Sequence, residues 1–129
     1  MEFNEPLQEF RNQWIPHITD SGLQRLLDLL ENRSPFLIHG SFTKVLPMGC
    51  LATHIAWHHP HTTHLMHEAG ICWLTRIAHL NPATSLLVTT WDEIGQTDAI
   101  LCSGLIKAIL AEIARRKALQ FSPTEPELV

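Results

Sequence analysis

Six of the nine histidines in this 129-residue chain, His54, His58, His59, His61, His64 and His67, fall within fourteen residues. Imidazole is the commonest transition-metal ligand and the side chain whose unperturbed pKa lies nearest physiological pH, so this window points to metal coordination or to a response to pH. Cys50, His54 and His58 follow one another at intervals of four, which on a helix turns all three to nearly one side. If the helix that carries them folds back on the next about residues 59–62, His54 comes level with His67 and Cys50 with Cys72. The candidate ligand set is therefore Cys50, His54, His58 and His67, and mixed His/Cys ligation favours Zn²⁺. The named metal motifs do not match. Ile follows His54 where a zinc-protease helix needs Glu, and no Glu-x-x-His pair is present for a carboxylate di-iron bundle. Histidines that do not converge serve instead as capping, turn and surface residues. Protonating all nine would carry the formal charge from −4 to +5, which makes pH-dependent association a further reading.

A second chemistry centres on Cys50. It follows Gly49 in the expected first turn of the same helix, where the helix N-terminus favours a thiolate, and His54 one turn on is placed to act as its base. Glu68 or Asp92 would supply the orienting acid. No spacing specifies such a constellation, and a cysteine in a helical core ordinarily behaves as a small inert hydrophobe. The chain has no Gly-rich phosphate loop, no G-x-S-x-G elbow and no dinucleotide fingerprint, so no catalytic residue is assigned.

These side chains must be positioned by helices. Asn4 caps a first helix with Leu7, Phe10 and Trp14 on one face, stopped by Pro16. Ser21 and Gln24 form a capping box ahead of Leu23, Leu26, Leu27 and Leu30, the cleanest amphipathic pattern in the chain. Over residues 33–47 periodicity fails, with Phe36, Leu37 and Ile38 forming one short strand or a buried loop segment. Long connections inside small domains are often functional, and His39 and Lys44 either line a cleft there or form ordinary loop surface. A third helix starts near Met48 and ends before Pro60. A fourth, capped by Thr62 or Thr63, runs to Leu80 with Met66, Gly70, Trp73, Ile77 and Leu80 on its core face, His64 and His79 solvated, and His67 nearer the apolar edge. Asn81 and Pro82 open a fifth carrying Leu87 and Trp91. Gly95 ends it, and Thr97 caps a sixth that buries Ile106, Ile109, Leu110 and Ile113, with Arg115, Arg116 and Lys117 at its C-terminal end.

The expected fold is all-α: one compact orthogonal or bundle-like domain of five or six helices over residues 1–119, with an irregular tail over 120–129. A composition 45% hydrophobic and 17% charged excludes a disordered chain. The excess of 13 acidic over 9 basic residues argues against nucleic acid as a partner. The longest apolar stretch, 99–114, is interrupted by Ser103, Lys107 and Glu112 and is too short to span a bilayer, and residues 1–13 lack the features of a secretory signal. The expected location is cytoplasmic, with the three cysteines reduced. The third helix leaves almost no polar face and the sixth is broadly apolar, which suggests an isologous homodimer. The function these features suggest is a small cytoplasmic binding or interaction module that self-associates, its protein or small-molecule partner unspecified. A Zn-binding protein and a Cys50 thiol enzyme are the alternatives.

Overall fold

Periodic apolar residues and side-chain caps set the helix boundaries, and the structure, a computed structural model, describes residues 3–120. Helix α1 (Asn4–Glu9) continues through a wider π turn (Phe10–Trp14) and a 3-10 turn (Ile15–His17), and α2 spans Asp20–Glu31. After a long loop come α3 (Leu51–Trp57) and α4 (Ala69–Cys72), the latter extended by a π turn (Trp73–Ile77). Helix α5 (Leu86–Ile94), a 3-10 turn (Gly95–Thr97) and α6 (Ala99–Gln120) complete an all-α domain of six helices. Gln120 is still helical rather than the first residue of the tail; residues 121–129 lie outside the described residues. No described helix is long and apolar enough to cross a membrane.

Several boundaries differ from the sequence reading, and each difference has a local hydrogen-bonding cause. Thr19, not Ser21, caps α2, its Oγ1 accepting from Gly22 N at 3.1 Å. Helix α3 begins at Leu51 rather than Met48, because the Cys50 amide is engaged outside the helix by Phe42 O at 3.0 Å. Residues 62–68 are turns, not helix: the Thr62 and Thr63 hydroxyls donate back to Ala56 O (2.7 Å) and Trp57 O (2.6 Å), closing α3 instead of opening α4. Met66 is consequently exposed. Asn81 makes a turn to Ala83 N, and α5 starts later, under Ser85. Asp98 replaces Thr97 as the cap of α6, accepting from Ile100 N and Leu101 N. The buried face of α6 carries Leu101, Leu105, Ala108 and Ile109, while Leu110 is exposed. Among the described residues no strand forms; the 36–38 segment contributes only an isolated parallel bridge between Leu37 and Gly49.

The core gathers around α3, which packs on both α2 and α4. Its contact with α4 is backbone-close: a Cβ on Gly70 would lie 2.5 Å from Thr53 Oγ1 and 2.9 Å from Thr53 N, so only glycine fits. Trp14 and Trp73 pack ring to ring at 5.6 Å below it. Glu9 is a buried charged residue that periodicity did not single out. Its carboxylate accepts from Trp14 Nε1 (2.8 Å), Ser85 Oγ (2.5 Å) and Leu86 N (2.7 Å), tying the first helix to the N-terminal end of α5, where negative charge is favoured. At the far end Arg116 bonds Glu112 and Asp20 and donates to Ile15 O, holding α6 to α2 and to the end of the first helix. Arg115 and Arg116 together hold the Glu112 carboxyl well below its usual range, which gives them a partner beyond the helix dipole.

Candidate functional site

The loop between α2 and α3 is built from caps and clamps rather than from repeating backbone structure. Helix α2 ends with Asn32, and Arg33 then takes a left-handed φ of 49°. Arg33 N bonds Leu30 O at 3.3 Å and Ser34 N bonds Leu29 O at 3.0 Å, the paired closure usually made with glycine in the left-handed position. From there the loop carbonyls are satisfied by side chains from distant elements. Gln96 Nε2 donates to Ser34 O (2.8 Å) and Leu37 O (2.9 Å), which fixes the orientation of its amide, since a flip would oppose oxygen to two carbonyls. Trp91 Nε1 donates to Ile38 O at 2.8 Å. Phe36 O receives Gly49 N (2.9 Å) and His54 Nε2 (2.8 Å), and Phe42 O receives Cys50 N (3.0 Å) and Thr53 Oγ1 (2.8 Å).

So held, the loop forms one wall of an open cleft of about 510 Å³, with Gln96 and Thr97 opposite; Arg33, Leu37, Ile38, His39 and Lys44 complete the lining. His39 packs against Gly95, whose φ of +50° suits glycine and where any Cβ would collide with the imidazole ring. Arg33 and Lys44 make no ion pair among the described residues. Gln96 Oε1 is buried without a hydrogen-bond partner among them. The sequence reading left His39 and Lys44 between a cleft lining and ordinary loop surface and did not include Arg33 or Gln96. The structure puts all four in the lining, and the signal for Arg33 was its position directly after a helix end marked by Asn32.

The four candidate metal ligands occupy different surroundings. Cys50 is buried, and because the Thr53 hydroxyl proton is given to Phe42 O, the thiol is the donor in its 3.5 Å contact with Thr53 Oγ1. Burial pushes this thiol up, and the charge of Asp92 adds to the effect, the reverse of the activation a nucleophile needs. His54 is 2% exposed and its Nε2, facing a carbonyl, carries the proton. Burial lowers it to about 4, with the Phe36 bond opposing and Arg25 and His58 contributing. His58 is exposed and lowered by desolvation and by Arg25, while His67 lies in the exposed turn before α4, its carbonyl accepting from Thr43 Oγ1 at 3.3 Å. Helices α3 and α4 do pack together, yet among the described residues no group of three or more His, Cys, Asp or Glu side chains is placed to hold a metal ion. The non-helical 62–68 segment removes the register that would have brought His67 level with His54. Of the two acids considered for Cys50, Glu68 is exposed, and Asp92 shares with Cys50 the lining of a void of only about 10 Å³.

No protein-family model, no curated protein and no solved structure matches this chain.

The His54 environment fixes a pH dependence. Its folded pKa of about 4 lies below its ordinary 6.5, so the unfolded chain binds the proton more readily. The stability involved is fully present above pH 6.5 and falls away as pH drops toward about 4, by up to about 3 kcal/mol. His58 and His59, also lowered, act in the same direction. Urea unfolding at about pH 7 and about pH 4.5 should show a smaller loss for His54→Gln than for the parent protein; equal losses would mean that His54 does not titrate in this window.

Proposed function

We propose that this chain is a small helical binding module whose working site is the cleft between the 33–44 segment and Gly95–Thr97. The observation that carries this reading is the way the cleft wall is held. Four side chains from α3, α5 and the following turn anchor loop carbonyls, so the lining is in place before any ligand arrives, which lowers the ordering cost of binding. Catalysis is not favoured by the same geometry: Cys50 is covered, and the His54 Nε2 proton is committed to Phe36 O. Zn²⁺ ligation by Cys50, His54, His58 and His67 finds no support in their placement. Three free thiols fit a cytoplasmic setting.

Self-association is a second reading, favoured by a separate apolar groove of about 230 Å³ lined by Leu46, Pro47, Trp57, Thr63 and Met66. Val45 beside it is 76% exposed. A monomer in sedimentation at tens of micromolar would remove this second reading.

The cleft itself is tested by a protein-observed NMR screen of small neutral and charged fragments. The expected shifts cluster on amides of residues 33–44 and 95–97. Clustering around residues 46, 57 and 66 would transfer the binding role to the apolar groove.

A further inference from the structure

We infer that the cleft takes a dianionic oxyanion of the phosphoryl class, held by Arg33, His39 and Lys44; this rests on the reading of the cleft as the working site. Two cationic side chains, Arg33 and Lys44, and the His39 imidazole line one concavity, and no carboxylate is among its described lining residues, in a chain whose formal charge is −4. The adjacent acid, Asp98, is turned to the amides of Ile100 and Leu101 as the cap of α6. The two cations of the lining are thus opposite in sign to the net charge of the molecule as a whole.

Arg33 carries the inference furthest. It occupies the left-handed position after α2, with φ at 49°, where glycine is the least strained residue. A long charged side chain there gains no compensating ion pair among the described residues. The left-handed turn itself serves to close α2, but that closure is met with least strain by glycine and does not call for arginine. The planar guanidinium suits two oxygens of one phosphoryl group. His39 is fixed nearby because Gly95 leaves room for its ring, and Lys44 supplies a compact point charge. The volume of about 510 Å³ exceeds what phosphate alone would fill, which leaves space for the rest of a small phosphate monoester.

The test is an NMR titration of the full chain with inorganic phosphate and, separately, with acetate, on the parent protein and on Arg33→Gly, together with thermal unfolding. The expected result is saturable shifts at residues 33–44 and 95–97 with millimolar phosphate, weaker ones with acetate, and phosphate affinity reduced about tenfold or more in Arg33→Gly. Because glycine relieves the left-handed backbone, the same variant should melt a few degrees higher, so its lost binding cannot be attributed to unfolding. Arg33→Lys should recover part of the affinity. Acetate binding as tightly as phosphate, or unchanged phosphate affinity in Arg33→Gly, would overturn the inference. Absence of phosphate shifts at these amides would overturn it too, and neutral fragments still binding there would leave the cleft as the working site.

Discussion

The carbonyls of residues 34–42 have neither a sheet nor a helix to receive them, and the architecture of the cleft depends on how they are satisfied. Leu37 is 3% exposed, so this backbone runs too deep for water to serve all of it, and an unpaired buried carbonyl would be costly. The solution is a set of four donors, Thr53, His54, Trp91 and Gln96, drawn from α3, α5 and the turn that follows α5. Together with Gly49, whose N–H and C=O pair with Phe36 and Ile38, they turn an irregular segment into a fixed wall.

This arrangement gives the histidine-rich window a different meaning from the one its composition suggests. His54 acts as a neutral hydrogen-bond donor in the core, and burial keeps it neutral by opposing its charged form. The surrounding imidazoles at 58, 61, 64 and 67 face solvent on turns. Cys50 likewise belongs to the same support, its thiol directed at the threonine that holds Phe42 O. Two of the four residues that looked like ligands, Cys50 and His54, thus support the loop, while Arg33, His39 and Lys44 line the cleft that it walls.

What the sequence made legible follows from how local the causes are. Helix α2 was readable because Leu23, Leu26, Leu27 and Leu30 bury one face with helical spacing. The all-α class and the core roles of Trp73 and Trp91 followed in the same way. Caps were less legible, since Thr19 against Ser21, or Asp98 against Thr97, is decided by which oxygen reaches the orphan amides. The 62–68 segment was misread because threonine hydroxyls can cap backward as well as forward. The special status of the 33–47 connection was visible, but its partners were not: Gln96 is 62 residues from Ser34, and no local pattern announces such a contact. Glu9 was missed for the same reason, its partners lying 76 and 77 residues away.

Amide hydrogen exchange measures the state of the loop wall most directly. If the clamps hold as described, the N–H groups of Ile38, Gly49 and Cys50, each bonded to a loop or flanking carbonyl, exchange nearly as slowly as those in the core of α2. Exchange of these three amides at the rate of an open surface loop would contradict a preformed cleft.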